Sequence, residues 1–282
     1  MYKIGVSTPK AIDEEMFKLY SEAGIVQMEV SVNRELTDAL DYAKLLEWSQ
    51  KYGVELYSFH LPFWPFDKID ISNPNLAEYS VEYFKDIIGK GTAIGINKYI
   101  IHPSGEPIME DGREMRMECA KKSLSELADY AKERGAVICV ENLPRTCLGK
   151  DSSDILELLS ANENLVACFD TNHLLAQDPI EFIKAVGNKI VTLHVSDYDF
   201  KNERHWLPGE GMLDWQSILD ALKEIGYDGS WLYEISLGAP WTIVRPRDLT
   251  YKDFYNNAQE LFNKKPLTRF SQVVENLKYW NE

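Results

Sequence analysis

Hydrophobic and polar positions follow a repeating order along the chain. A stretch with helical periodicity ends at a glycine, and a short apolar run typical of a buried strand follows it. The glycines are Gly24, Gly53, Gly95, Gly135, Gly187 and Gly226. The predicted strands are Lys3–Thr8, Ile25–Ser31, Val54–His60, Lys98–His102, Ala136–Glu141, Leu165–Asp170, Lys189–His194 and Ser230–Ile235. Eight strand–helix units in this order predict an α/β fold, a single (β/α)₈ barrel that occupies residues 1–282 as one domain.

The helices between these strands have recognisable start signals. Asp13, Asp178 and Asp214 each stand where an N-cap is expected, and Thr37 is predicted to cap a helix over Asp38–Tyr52. In the last third, Leu237–Thr250 is predicted to be an irregular insertion. Helices over Lys252–Asn263 and Leu267–Trp280 are predicted to close the outer layer. An open doubly wound sheet is the structural alternative, but the Gly-x-Gly-x-x-Gly turn that it would need is absent.

Composition narrows the class of protein. The formal charge is −15, which argues against a nucleic-acid partner because such partners usually require a basic face. The four cysteines form no Cys-x-x-Cys pair, so a reducing, cytoplasmic setting is expected. No signal peptide and no apolar run long enough for a membrane helix is recognisable, so no membrane partner is expected.

Four of the predicted strands end on a potential metal ligand. These residues are Glu141, Asp170, His194 and Glu234. Because the carboxyl ends of barrel strands form the active-site face, we expect the four side chains to meet around one divalent cation. Such an oxygen-rich set suits Mn²⁺, Mg²⁺ or Co²⁺, and Zn²⁺ stays open. The alternatives are solvated carboxylates, an N-cap role for Asp170 and a core role for His194.

The remaining histidines point to the same face. His60 and His102 end predicted strands, and His173 and His205 follow strand ends closely. We expect these four to contact a substrate. For His60 and His102, simple packing and metal ligation are the alternatives. Three tryptophans follow strand ends, where an aromatic face could stack on the C–H surface of a ligand, with loop packing as the alternative: Trp206, Trp64 and Trp241. Three basic side chains could bind a phosphate group of a substrate: Lys201, Arg204 and Arg245. Solvated surface charge is the alternative for all three, and no phosphate cradle is evident, which favours a non-phosphorylated substrate.

Five short motifs carry a resemblance to a known family. They are Val-Glu-Asn at 140–142, Phe-Asp-Thr-Asn-His at 169–173, His-Val-Ser-Asp at 194–197, Pro-Gly-Glu-Gly at 208–211 and Tyr-Glu-Ile at 233–235. In order and spacing the chain resembles the xylose isomerase-like barrel superfamily, in its sugar phosphate isomerase/epimerase branch. The resemblance implies that Glu141, Asp170, His194 and Glu234 bind a divalent metal. It also implies that Glu141 and Glu234 act as an acid/base pair, and that His173 contacts the substrate.

The expected activity is a sugar isomerase or epimerase. Proton abstraction beside the carbonyl of a ketose, or of a polyol-derived ketone, would give a metal-stabilised enediolate, and a carboxyl would return the proton. The expected partner is a small-molecule sugar, and a homo-oligomer stays open. The patterns do not choose between isomerisation and epimerisation.

Two other functions stay open. The AP endonucleases share this barrel and carry three metals, and their extra ligands match His60, His102, His173 and His205, with Glu203 where that family has Asp. The charge of −15 is unfavourable for binding a phosphate backbone. A catalytically silent sugar-binding barrel would keep an aromatic rim but would have no need of both glutamates.

Overall fold

The computed structural model describes residues 2–8 and 11–274, and eight parallel strands form a barrel within them. The strands are β1 (Ile4–Ser7), β2 (Gln27–Val30), β3 (Glu55–His60), β4 (Lys98–Ile101), β5 (Val137–Glu141), β6 (Val166–Asp170), β7 (Ile190–His194) and β8 (Trp231–Tyr233). Sequential strands pair from β1 to β7, and β8 pairs with β1. The ring closes where Val195, just after β7, bridges Tyr233. The predicted (β/α)₈ barrel is confirmed.

Helices in the described residues cover the outside of the barrel. They are α1 (Glu14–Ala23), α2 (Arg34–Asp38), α3 (Tyr42–Tyr52), α4 (Ala77–Thr92), α5 (Arg113–Lys132), α6 (Ser152–Leu159), α7 (Pro179–Val186), α8 (Trp215–Glu224) and α9 (Tyr251–Phe262). The predicted caps Asp13, Asp178 and Asp214 each accept a backbone amide of the first turn. Within these residues, no helix combines the length and the apolar character needed to cross a bilayer.

The predicted helix over Asp38–Tyr52 is confirmed from Tyr42 to Tyr52 as α3, but its predicted start and its Thr37 cap are wrong. Asp41 caps α3, and a separate helix, α2, precedes it with Asn33 as its cap. Thr37 lies inside α2, where its hydroxyl donates to the carbonyl oxygen of Asn33. Two closely spaced Asx caps therefore divide one periodic stretch into two helices.

The predicted helix over Leu267–Trp280 is also wrong where the structure describes it. Residues Gln272–Val273 (β10) are extended and pair antiparallel with Ile243–Val244 (β9), which lies in the insertion between β8 and α9. Residues 275–280 of that prediction lie outside the described residues. A two-stranded ladder thus replaces a closing helix.

Strand alternation determines which side chains face the inside of the barrel. Cys139 and Glu141 lie two residues apart on β5, and Cys168 and Asp170 lie two apart on β6, so each pair shares one face. Cys139 and Cys168 pack with Ile100 in a small cluster separate from the main core. Glu141 and Asp170 therefore lie one layer nearer the carboxyl ends of the strands than these two cysteines.

Candidate metal centre

The four side chains predicted as metal ligands come together at the carboxyl ends of adjacent strands. Glu141, Asp170 and His194 are the last residues of β5, β6 and β7, and Glu234 directly follows β8. One ligand atom of each residue lies within 4.8 Å of the ligand atoms of the other three. Residues separated by nearly a hundred positions thus form a compact group because parallel strands end together.

The geometry of this group fits a cation. His194 Nδ1 lies 2.8 Å from Glu141 Oε1, 3.5 Å from Glu234 Oε2 and 3.9 Å from Asp170 Oδ2. Asp170 Oδ2 is buried and has no hydrogen-bond partner. Buried carboxylate oxygens normally have a donor or a cation beside them, so the residues around this orphaned oxygen could hold a cation.

The pKa shifts show how the charges oppose one another. Burial, together with Glu234 and Glu141, raises the pKa of Asp170 well above its usual range. Burial alone would raise the pKa of Glu141, but His194 and His102 hold it well below the usual range. The pKa of Glu234 falls to about 2 despite its burial, chiefly because of His194. The carboxyl groups of Asp170, Glu141 and Glu234 have too few positively charged neighbours, and a bound dication would balance their negative charge.

Glu29 was missed by the sequence analysis. This fully buried residue of β2 accepts hydrogen bonds from Ser7 Oγ at 2.9 Å and Ser58 Oγ at 2.7 Å, and its Oε1 lies 3.0 Å from His194 Nε2. A carboxylate on the second ring nitrogen orients a metal-binding histidine and leaves Nδ1 for the ligand group. A carboxylate near the end of the second predicted strand was the available signal.

The predicted substrate-binding histidines surround the four ligands. His60 Nε2 and His102 Nε2 each lie 3.2 Å from Glu141 Oε2. Burial tends to lower the pKa of each of these two histidines. For His60 the neighbouring Glu141 carboxylate outweighs burial and the pKa is raised, whereas for His102 burial prevails and the pKa is lowered. His173 Nδ1 donates to the carbonyl oxygen of Asn142, and its ring lies 6.1 Å from that of His205. All five histidines therefore lie at one end of the barrel.

Two further groups could hold a cation. His60, Glu141 and His194 form one, and His173, Glu203 and His205 form the other, each with ligand atoms within 4.8 Å of one another. The first shares two residues with the four-ligand group. The second is built from loop residues and lies closer to solvent.

A cavity of about 1210 Å³ opens above the strand ends. Glu234 lines it and also belongs to the four-ligand group, so the cavity leads to the candidate metal position. The residues that line it also include Glu106, Arg145, Glu203, His205 and Trp241. A hexose occupies only part of such a volume, which leaves room for water or a larger substituent.

Two predictions about the cavity wall need correction. Trp206 is only 1% exposed and its ring N–H donates to Thr242 Oγ1, so it packs behind the wall and offers no face to a sugar. Trp241, by contrast, lines the cavity and is 56% exposed. The Arg245 guanidinium is buried against Glu210, which leaves it unable to reach a phosphate in the cavity.

Comparison with known proteins places the chain among barrels of this kind. A family model described as xylose isomerase-like TIM barrel matches residues 17–252. Among curated proteins, an inosose isomerase of Bacillus velezensis is 29% identical over 163 residues, 52% of this chain and 56% of that protein. A probable endonuclease 4 of Thermoplasma acidophilum is 25% identical over 183 residues, 58% of this chain and 62% of that protein.

A solved structure adds a match over most of the chain. A D-tagatose 3-epimerase-like protein superposes with a TM-score of 0.77 at 24% identity, covering 93% of this chain and 97% of that one. At this identity the likeness concerns the fold. The two curated relatives match over little more than half of their own length, so their activities do not transfer directly.

Proposed function

The chain belongs to the xylose isomerase-like TIM barrel family, and on that premise we propose that it is a divalent-metal-dependent sugar isomerase or epimerase. One observation carries the proposal. Glu141, Asp170, His194 and Glu234 offer ligand atoms within 4.8 Å of one another, and the buried Oδ2 of Asp170 has no hydrogen-bond partner. The names of the relatives, an inosose isomerase and a D-tagatose 3-epimerase-like protein, support the same class of substrate.

A cation bound by these four residues would supply the positive charge that makes a proton beside a carbonyl removable. The chain's own groups then move the proton. Glu234 lines the cavity and is ionised, so it is placed to accept a proton from a substrate bound there. Glu141 ends β5, three strands from β8 around the ring, and could return a proton from another direction.

The surrounding histidines would bind and orient the substrate. His60 Nδ1 donates to the carbonyl oxygen of Leu61, and His173 Nδ1 donates to that of Asn142, so both rings are held in place. Rings fixed in this way present Nε2 to the site and can hydrogen-bond sugar hydroxyls. Trp241 would stack on the apolar C–H surface of a sugar, a role that Trp206 is too buried to fill.

A solvent-exchange assay tests the proposal. Metal-loaded protein in deuterium oxide is incubated with a panel of ketohexoses, ketopentoses, inososes and sugar phosphates, and deuterium beside the carbonyl is measured by NMR. We expect exchange with at least one non-phosphorylated ketose, lost after chelation and restored by Mn²⁺ or Co²⁺. The matched control is metal-loaded Glu234→Gln. Absence of exchange across the panel would contradict the proposal.

A second candidate function rests on the group formed by His173, Glu203 and His205. Together with His60 and His102, it would allow several zinc ions and phosphodiester hydrolysis, as expected of a relative of endonuclease 4. The charge of −15 disfavours contact with a nucleic-acid backbone. Cleavage of an abasic-site duplex by zinc-loaded protein, in the absence of ketose exchange, would favour this candidate.

A further inference from the structure

Two histidines outside the four-ligand group have ring orientations that suit cation binding. His173 Nδ1 donates to the carbonyl oxygen of Asn142 at 2.9 Å, and His205 Nδ1 donates to that of Glu234 at 3.1 Å. A backbone carbonyl on one ring nitrogen is the usual arrangement of a metal-binding histidine, because it leaves Nε2 as an acceptor. A carboxylate oxygen, Glu203 Oε1, lies 3.5 Å from His173 Nε2. With the ring neutral, Nε2 and Glu203 Oε1 are both acceptors, and a positive charge nearby stabilises such a pair.

The positive charge beside Glu203 comes from the chain itself. Arg145 Nη2 lies 3.2 Å from Glu203 Oε1, and Nη1 donates to Asn202 Oδ1 at 2.8 Å. On the other side, Arg145 binds both carboxylate oxygens of Glu106, at 2.8 and 2.7 Å. The guanidinium thus joins the loops that follow β4, β5 and β7. It carries its charge at every relevant pH.

The backbone of Arg145 is held in an uncommon conformation. Its φ is 53°, in the left-handed region that residues other than glycine seldom adopt. Such a conformation persists where the surrounding contacts determine it, and here a bidentate pair with Glu106 anchors the side chain. The position of the guanidinium against Glu203 is therefore a fixed feature of the cavity wall.

We propose that Arg145 takes the place of a second cation at His173, Glu203 and His205, and thereby keeps this position free of a metal ion. This inference rests on the proposed function and deepens it by stating which of the candidate positions a metal ion does not occupy. A dication at this position would bind Glu203 at about 2 Å and lie a few ångströms from a guanidinium that cannot lose its proton. Like-charge repulsion excludes the dication as long as Arg145 is present.

Zinc stoichiometry tests the proposal with Zn²⁺ alone as the probe. Stripped wild type, Arg145→Met and Arg145→Lys are titrated by calorimetry, and the zinc retained after desalting is measured. Each protein is also made with Glu203→Gln, which removes the carboxylate of the proposed second position. We expect Glu203→Gln to remove one equivalent from Arg145→Met and none from wild type or Arg145→Lys, because Lys keeps the charge.

Two results would overturn the proposal. One is loss of an equivalent from wild type on Glu203→Gln, which would mean that a metal already binds beside Arg145. The other is a folded Arg145→Met, judged by circular dichroism, that retains no more zinc than wild type. Arg145→Gln, which keeps a polar side chain between Glu106 and Asn202, serves if Met does not fold. The equivalent lost on Asp170→Asn reports the proposed function separately.

Discussion

Two fully buried aspartates at the same end of the barrel have opposite surroundings. Asp197 accepts hydrogen bonds from the backbone N–H groups of Tyr198, Gly209 and Leu213, at 2.9, 2.8 and 3.1 Å, and from the ring N–H of Trp215 at 2.9 Å. Asp170 accepts one backbone N–H on Oδ1, and its Oδ2 has no partner. Asp197 is thus a carboxylate that holds a loop together, whereas Asp170 keeps a buried oxygen that a cation could contact.

The pKa values follow the same division. Burial raises the pKa of Asp197, but the donors from Trp215 and the backbone limit the rise. Burial raises the pKa of Asp170 as well, and the negative charges of Glu234 and Glu141 raise it further, to well above its usual range. Loss of the negative charge should therefore harm the loop at one position and relieve the unbound centre at the other.

The largest expected effect is on turnover. Glu141→Gln and Glu234→Gln should each reduce proton exchange by about 10²–10⁴-fold, the usual contribution of a positioned acid or base. The fold should persist, because neither side chain fastens a loop as Asp197 does. The measurement is deuterium incorporation at saturating metal, with circular dichroism as the control for folding. Exchange at the wild-type rate by either variant would remove that residue from the acid/base pair.

The second prediction tests the contrast directly through stability. Asp197→Asn should lower the free energy of unfolding by about 1.5–3 kcal/mol, since it weakens hydrogen bonds to a charged group. Asp170→Asn should raise the stability of the metal-free protein, because it removes repulsion from Glu234 and Glu141. Only Asp170→Asn should abolish the rise in Tm that Mn²⁺ or Co²⁺ produces. Denaturant unfolding and thermal melts, each with and without metal, measure both effects.

The contrast would fail if Asp170→Asn destabilised the metal-free protein as much as Asp197→Asn does. In that case Asp170 would have a structural role, with a partner that its geometry does not reveal. Retention of the metal-induced rise in Tm by Asp170→Asn would exclude it from the ligand group.

The sequence predicts much of the barrel and the place of the candidate ligands. Apolar runs that end on Glu141, Asp170 and His194 indicate both the strands and the face on which they end, because parallel strands share that face. The difference between Asp170 and Asp197 could not be predicted. The donors to Asp197 from Gly209, Leu213 and Trp215 depend on how a distant loop folds back, and no local pattern encodes that.

The errors have the same origin. Trp206 follows a strand end like Trp241, yet a hydrogen bond to Thr242, 36 residues further on, draws its ring into the wall. The stretch Leu267–Trp280 has helical periodicity, but pairing with Ile243–Val244 makes its described part extended. Tertiary contacts override local propensity at both places.

The third prediction concerns the effect of Glu29 on metal affinity, which we expect to be smaller. The surroundings of this buried carboxylate combine features of both aspartates. It has donors of its own, from Ser7 and Ser58, and it also contacts His194. Glu29→Leu should weaken metal binding by about 10–100-fold, since the histidine loses the group that orients it. Glu29→Gln retains an acceptor and should cost less. Calorimetric titration with Mn²⁺ measures both variants, and an unchanged affinity in Glu29→Leu would make the residue purely structural.

The smallest expected effect is the pH dependence of metal binding. Burial and neighbouring acids raise the pKa of Asp170 in the metal-free fold above 3.8, and despite burial the nearby Cys168, Glu234, Glu29 and Glu141 raise that of His194 above 6.5. For each group, the stabilising contribution is complete below the unfolded value and is lost as pH rises through the folded value. The metal-free protein should therefore lose stability from this centre as pH rises.

Metal binding reverses that trend, because both ligands must release a proton before they coordinate. Affinity for Mn²⁺ should fall as pH decreases from about 8 to 5, by up to about tenfold per unit for each proton displaced. Glu234, with a pKa of about 2, stays ionised and adds nothing to this slope. Competition titrations across the range measure it, with Asp197→Asn as the control that should keep the wild-type slope. A flat profile would show that the centre gains no protons on losing its metal.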